Sequence, residues 1–179
     1  PCILARDIDP LNLSGRLPKN AISGSFSWQG QPCSILVRGG KVVRNWSCHY
    51  PRPESVLYKI PGGAVRIARV SSAAALGGVV WAVGGMGLLG NYNPAAEGFA
   101  GVFSDVLRKT NHTVLGYKGG MLYGVYCKNM TAQQVNAFVR GKLKLEYAVM
   151  LDGGHVAAIH AAVSRINTNQ RQYYAVRFL

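Results

Sequence analysis

Residues 112–128 read HTVLGYKGGMLYGVYCK, and this stretch indicates how the chain folds. Two runs rich in β-branched and aromatic residues flank Lys118-Gly119-Gly120. Glycine pairs of this kind occur where two antiparallel strands reverse direction. The stretch therefore predicts a β-hairpin, and it raises the question of what packs on the two faces of its strands.

The sequence just after the hairpin predicts a helix and then a buried strand. TAQQVNAFVRGKL, residues 131–143, begins with Thr131, and Gln134 stands three residues later, as in a capping box. EYAVMLD, residues 146–152, is an almost continuous apolar run that ends in a carboxylate, and Gly153-Gly154 follows it. We expect the chain to turn sharply there, with Asp152 at the carboxyl end of a strand.

The rest of the chain repeats the pattern of short strands and glycine turns. Further predicted hairpins are Cys33–Trp46 around Gly39-Gly40 and Ser55–Val70 around Pro61-Gly62-Gly63; further strands are Cys2–Asp9, residues 77–85 and Arg171–Leu179; a second helix is Pro94–Thr110. We therefore predict one α+β domain over residues 1–179, with a mixed or antiparallel sheet, hairpins and two or three packed helices.

The charge balance favours anionic partners. The 179 residues are 49% hydrophobic and 15% charged, which is a globular composition, and 20 Lys and Arg against 7 Asp and Glu give a net charge of +13. Such a field attracts phosphosugars, anionic carbohydrates or nucleic acid. The basic residues are spread along the chain, so nucleic-acid binding is possible but no motif indicates it.

The chain is not expected to span a membrane. Ser71–Gly90 is uncharged, but Gly77-Gly78 and Gly84-Gly85 divide it into pieces of strand length. The first residues, PCILARDIDP, lack the pattern of a signal peptide. A secreted or cell-envelope location is still favoured, since a mature, trimmed chain would show no leader.

The four cysteines, Cys2, Cys33, Cys48 and Cys127, form no C-x-x-C pair, so a zinc ribbon or thioredoxin-type site is not expected. They allow three disulfide pairings, or each is a small buried residue. No metal ligands are predicted. A divalent cofactor cannot be placed, because the seven carboxylates show no ligand spacing.

Five motifs, in order, resemble the phosphodiester glycosidase domain family. They are NAISGSFSWQGQPCSILVRGGKVV (20–43), HTVLG (112–116), NMTAQQ (129–134), LDGGH (151–155) and NQRQYYAVRFL (169–179). The corresponding family patterns are A-I-N-G-G-F-F, R-T-x-x-G, G-M-T-x-x-E/Q, L-D-G-G-G-S and E-R-x-V. The resemblance covers nearly the whole chain and implies a hydrolase of sugar-1-phosphodiesters or related anionic glycans.

The resemblance also implies a set of site residues. The implied catalytic residue is Asp152, and His155 and His112 lie beside it as candidate catalytic residues; the alternatives are that His155 fills space and that His112 is a satisfied, partly buried histidine. The implied substrate-binding residues are Gly153, Gly154, Thr113, Ser23 and Gly24, and Glu97 is a candidate partner carboxylate in the same site. Asp152 would act with a histidine while the amides of Gly153 and Gly154 hold the phosphate. Asp-Gly is also a common turn pair, so a structural role for Asp152 is the alternative.

Four positions depart from the family patterns. Ser23 stands in place of Asn, His112 in place of Arg, and His155 and Val156 in place of Gly and Ser. A titratable imidazole thus replaces a permanent anion clamp. Two interpretations follow: a site adapted to another phosphodiester or glycoside, or a non-catalytic module that binds anionic polysaccharide.

Overall fold

The computed structural model describes residues 1–90 and 92–179. Strands account for 47% of the chain and helical segments for 17%, so sheets dominate the architecture. In chain order the strands are β1 (Cys2–Ala5), β2 (Ile8–Gly15), β3 (Ala21–Ser23), β4 (Ser27–Trp28), β5 (Gln31–Pro32), β6 (Leu36–Arg38), β7 (Lys41–Arg44), β8 (Glu54–Lys59), β9 (Val65–Val70), β10 (Trp81–Gly87), β11 (Thr110–Lys118), β12 (Met121–Met130), β13 (Tyr147–Gly153), β14 (Ile159–His160), β15 (Arg165–Ile166) and β16 (Gln172–Phe178).

The strands form three antiparallel sheets. The large sheet has nine strands, with the order β1-β12-β11-β13-β10-β6-β7, and β8 pairs with both β10 and β9. A five-stranded sheet has the order β15-β14-β3-β16-β2, and β4 pairs with β5 in a two-stranded ribbon. Every described strand pair is antiparallel, as expected of a chain built from hairpins.

The predicted α+β class with two or three packed helices is wrong. Within the described ranges the only α-helix is α1 (Ala132–Phe138), which is continued by a π-helical turn over Val139–Leu143. The predicted helix Pro94–Thr110 is instead two short 3₁₀ segments, Pro94–Glu97 and Gly101–Leu107. Gly98 and Gly101, with φ of +91° and +58°, adopt backbone conformations that a helix cannot contain.

The three predicted hairpins are confirmed. β6 and β7 meet at Gly39-Gly40, β8 and β9 enclose residues 60–64, and β11 and β12 turn at Gly119-Gly120. The predicted capping box is also present: the Thr131 hydroxyl accepts from the Gln134 N–H at 3.2 Å, and the Gln134 side chain accepts from the Thr131 N–H at 2.9 Å. No described helix is long and apolar enough to cross a membrane.

Both faces of the large sheet are buried at its centre. In β13, Val149 and Leu151 join the cluster that includes Ile22 and Val176 of the five-stranded sheet. The alternate residues Ala148 and Met150 join a second cluster, which includes the α1 residues Ala132 and Val135. The layers are therefore small sheet, large sheet and helix, which explains why β13 is apolar at successive positions instead of alternate ones.

Candidate active site

Asp152 lies where the large and small sheets meet. Its N–H donates to the carbonyl of Gly24, just after β3, at 3.0 Å. Its own carbonyl accepts from the Thr113 hydroxyl of β11 at 3.0 Å, and the Ser23 carbonyl lies 3.2 Å from the same hydroxyl. Two segments distant in sequence, one at Ser23-Gly24 and one at Thr113, thus hold the backbone of Asp152, and the side chain is positioned by the fold and not by its own turn alone.

The Asp152 side chain faces a pocket of about 280 Å³. Besides Asp152, the polar residues that line it include Asp105, Arg108, Thr110, His112 and His155, together with the backbone of Gly153 and Gly154. A pocket of this size accommodates a small ligand such as a monosaccharide carrying a phosphate.

Burial raises the pKa of the Asp152 carboxyl to about 7. The Gly153 N–H, which donates to Oδ1 at 2.8 Å, opposes this effect by stabilising the ionised form, whereas the negative charge of Asp105 adds to it. A carboxyl with a pKa near 7 is divided between its acid and base forms at neutral pH. It can therefore donate or accept a proton there, as catalytic carboxyls do.

Asp105 and Arg108 are site residues that the sequence analysis missed. They lie three residues apart at the end of the second 3₁₀ segment, and Arg108 Nη1 is 3.1 Å from Asp105 Oδ2. Arg108 also reaches the glycine turn, since Nη2 is 3.6 Å from where a Cβ on Gly154 would lie. Their spacing of three is a signal in the sequence, because side chains at i and i+3 are neighbours on a 3₁₀ helix and on an α-helix alike.

His112 is a buried and neutral member of the pocket wall. Its side chain is 1% exposed, and its Nε2 lies 2.8 Å from the Met130 carbonyl, which can only accept, so Nε2 carries the proton. Burial lowers the pKa of the imidazole. Nδ1 has no hydrogen-bond partner among the described residues and lies 3.0 Å from where a Cβ on Gly153 would be. Nδ1 is therefore an unused acceptor, but the atom is buried, so the Gly153 turn must move before a ligand can reach it.

His155 lines the same pocket in an exposed position. It belongs to a short 3₁₀ turn, Gly154–Val156, and its carbonyl accepts from the Thr168 hydroxyl. His160 lies in β14 and is not among the residues that line the pocket. His112, His155 and Asp152 thus surround one cavity.

Ser23 and Gly24 act on the backbone around the pocket. The Ser23 hydroxyl donates to the Val156 carbonyl at 2.5 Å and accepts from the Ala158 N–H at 2.8 Å. A Cβ on Gly24 would lie 2.5 Å from Cγ of Tyr174. These residues let β3 approach the Asp152 turn closely, and the two hydrogen bonds occupy the Ser23 hydroxyl.

Glu97 lies outside the Asp152 pocket. Its carboxylate is 1% exposed and accepts from the Ser55 N–H, the Ser55 hydroxyl and the Gly87 N–H at 3.2, 2.8 and 3.0 Å. Arg69 Nε is 3.5 Å away. These contacts hold the loop that contains Glu97 against β8 and β10.

Residues 1–90 and 92–179 contain no cluster of three His, Cys, Asp or Glu side chains that could hold a metal ion.

Comparison with known proteins identifies the fold. No protein family model and no curated protein matches the sequence. The structure is similar to the catalytic domain of zebrafish N-acetylglucosamine-1-phosphodiester α-N-acetylglucosaminidase, auto-inhibited by its pro-peptide, with a TM-score of 0.73 and 16% identity over 97% of this chain and 73% of that one. It is also similar to a hypothetical protein from Synechocystis, with a TM-score of 0.63 and 11% identity over 96% of this chain and 56% of that one.

These similarities establish a structural relationship. The chain has the fold of that zebrafish catalytic domain, at 16% sequence identity. Fold alone does not define a reaction, so the function has to be argued from the pocket itself.

Proposed function

We propose that the protein is a divergent relative of the phosphodiester glycosidases that hydrolyses a sugar-1-phosphodiester or a related anionic glycan in the Asp152 pocket. The observation that carries the proposal is a carboxyl of pKa about 7 in the same pocket as the Arg108 guanidinium. An acid and an anion-binding group are the two things that departure of a phosphate from a sugar requires.

Asp152 is the proposed general acid. Its protonated form donates a proton to the oxygen between the anomeric carbon and the phosphorus. The bond from the anomeric carbon to that oxygen breaks, water adds to the carbon, and the products are a free sugar and a phosphate monoester. Asp105, which lines the same pocket and raises the pKa of Asp152, is the proposed second carboxylate and accepts the proton of the water.

Arg108 is the proposed phosphate ligand. Its ion pair with Asp105 is exposed, with 55% and 62% of the two side chains accessible, so the pair contributes little to stability and can rearrange around an anion. Arg108 would supply the fixed positive charge that the family patterns place at position 112. His112, being neutral, would accept a hydrogen bond from a sugar hydroxyl through Nδ1 after the Gly153 turn moves to expose that buried atom.

The glycine turn contributes one amide in this proposal. The Gly153 N–H already donates to Asp152 Oδ1, so its effect is to orient the acid. In this proposal the N–H of Gly154 contacts the phosphate. The backbone of Gly154 has a φ of +62° and lies next to Arg108.

The experiment is hydrolysis of synthetic α-linked sugar-1-phosphodiesters, followed by release of reducing sugar, for wild type, Asp152→Asn and Glu146→Gln. Glu146 is an exposed carboxylate outside the pocket, and Gln preserves its acceptor to the Gly119 N–H. We expect a loss of at least about 100-fold for Asp152→Asn, and an unchanged rate for Glu146→Gln. The wild-type rate should fall as the pH rises through about 7, because the acid form is then lost.

Reaction in ¹⁸O-labelled water distinguishes the bond that breaks. Label in the sugar means glycosidic cleavage, as proposed, whereas label in the phosphate means phosphodiester cleavage. Absence of turnover for every sugar tested, or full activity of Asp152→Asn, would refute the enzyme proposal.

A non-catalytic module for anionic polysaccharide is the second candidate. It is favoured by the Ser23 hydroxyl and the Gly153 N–H, two groups in implied substrate-binding positions that are already bonded to the protein itself. Binding of an anionic polysaccharide without cleavage, with equal affinity for wild type and Asp152→Asn, would support this candidate.

A further inference from the structure

A groove of about 560 Å³ lies at one end of the five-stranded sheet. Antiparallel pairing sets Gly15 opposite Gln172, so Arg16, just after β2, and Arg171, just before β16, emerge at the same end of the strand pair. Arg165 in β15 completes the basic lining, and all three arginines are exposed. The sheet topology thus gathers guanidinium groups that the sequence separates by about 150 residues.

The groove is positively charged without internal compensation. Among the described residues, the lining includes no Asp or Glu. None of the three guanidiniums forms an ion pair with a described carboxylate. Guanidinium groups in this state are suited to bidentate contacts with phosphate oxygens.

The remaining lining is polar and hydrogen-bonding. It includes Asn167, Thr168, Asn169, Gln170 and Gln172, and no aromatic side chain contributes to it. Amides and hydroxyls recognise polyhydroxylated chains. Single-stranded nucleic acid, in contrast, is usually held by aromatic rings on which the bases stack. The groove chemistry therefore favours a sugar-phosphate or polyol-phosphate chain over nucleic acid.

The groove lies beside the Asp152 pocket. A cleft of only about 10 Å³, lined by Asp152, Val156, Arg171 and Gln172, separates the two, and it is no wider than a water molecule. Two hydrogen bonds cross this boundary: Gln172 Nε2 donates to the Val156 carbonyl at 3.0 Å, and the Thr168 hydroxyl donates to the His155 carbonyl. A chain whose end lies at Asp152 would therefore reach the groove over the outside of these two bridges.

We infer that the arginine groove is a subsite for a linear polymer of polyol phosphate or sugar phosphate, whose terminal unit occupies the Asp152 pocket. The inference rests on the proposed function for the orientation of the polymer. The groove itself is a binding site whether or not the bond at Asp152 is cleaved.

The experiment is fluorescence-anisotropy binding of an end-labelled hexameric glycerol phosphate chain to the intact protein. The test variant is Arg16→Gln/Arg165→Gln/Arg171→Gln. The matched control is Lys41→Gln/Arg66→Gln/Lys142→Gln, which removes the same charge from exposed positions outside the groove. We expect at least about tenfold weaker binding and a shallower salt dependence for the groove variant, and a change below about threefold for the control.

Three comparisons within this binding experiment could overturn the inference. Equal weakening by the two triple variants would reduce the effect to net charge and overturn the inference. A single-stranded oligonucleotide of equal charge that binds as tightly, with the same dependence on the groove arginines, would overturn the polymer class. Equal affinity for glycerol phosphate monomer and hexamer would overturn an extended subsite.

Binding and turnover measured together distinguish failure of the groove inference from failure of the proposed function. Arginine-dependent binding by a protein that turns over no substrate would refute the function and leave the groove established. Turnover of short phosphodiesters, with unchanged binding of the hexamer by the groove variant, would refute the groove alone.

Discussion

The N–H of Asp152 donates to the carbonyl of Gly24 at 3.0 Å, and this bond joins the carboxyl end of β13 to the small sheet. Gly24 can pack against Tyr174 of β16 while it makes this bond because it lacks a Cβ: the added atom would lie 2.5 Å from Cγ of Tyr174 and 2.7 Å from the backbone carbon of the same residue. The position of the proposed acid therefore depends on a glycine 128 residues earlier in the chain.

Gly24→Ala should displace this contact. We expect the free energy of unfolding to fall by about 2 kcal/mol or more, because backbone atoms of Tyr174 must move, and turnover to fall with it. Chemical denaturation measures the first effect. Gly78→Ala is the control, since a Cβ there meets nothing within 4 Å; comparable losses for the two variants would contradict the argument.

Asp152→Asn should alter the pH dependence of stability. The folded carboxyl has a pKa of about 7, against about 3.9 in an unfolded chain. Between these values the folded state binds more protons, so this group makes the free energy of unfolding fall as the pH rises from about 4 to about 7. Asn does not titrate and retains the acceptor for the Gly153 N–H.

The variant should therefore gain stability relative to wild type on going from pH 4 to pH 8, by about 2–4 kcal/mol. Denaturation midpoints across this range measure the difference. A flat difference for Asp152→Asn would mean that the carboxyl is not buried in its acid form.

His112 should remain neutral, with the proton on Nε2, where an ordinary histidine would be half charged. The reason is burial, which lowers the pKa, together with the donor bond to Met130. ¹⁵N chemical shifts of the imidazole at about pH 6.5 measure both the charge and the tautomer. A charged ring at that pH, or a proton on Nδ1, would contradict the assigned role as an acceptor.

Glu97→Ala should destabilise the fold without altering the catalytic pH profile. The change leaves the N–H groups of Ser55 and Gly87 without their buried acceptor, and we expect a loss of about 3 kcal/mol or more. Thermal denaturation measures it, with Glu146→Ala as the exposed control. A shifted pH optimum in the folded Glu97→Ala protein would instead place Glu97 in the reaction.

Cys33 and Cys48 should form a disulfide under mild oxidation. Their Sγ atoms lie 3.8 Å apart, and the bridge would close a loop of 15 residues, for which chain entropy predicts about 3 kcal/mol of stabilisation. Oxidation should remove two hydrogen masses, and peptide mapping should locate the bridge. Cys33→Ser should abolish this pairing; a mapped bridge between Cys2 and Cys127 instead would refute the assignment.

The α-helical expectation failed for a local reason. Pro94–Thr110 has apolar residues at helical spacing, but Gly98 and Gly101 take positive φ, and the chain folds as two 3₁₀ segments. Asp105 and Arg108, at the end of the second segment, both line the Asp152 pocket. An i, i+3 pair shares one face on either kind of helix, so only the tertiary structure shows that this face meets the pocket.

Local sequence determined the hairpins, the Thr131 cap and the turn after Asp152, because glycine pairs, a capping box and apolar runs act through neighbouring residues. Only tertiary structure decided the environment of each charge. Burial between two sheets raises the pKa of Asp152. Glu97 is also buried, and there it accepts hydrogen bonds from backbone amides. Strand pairing brings Arg16, Arg165 and Arg171 into one groove. Desolvation and electrostatic interactions depend on distances through space, which the order of residues along the chain does not specify.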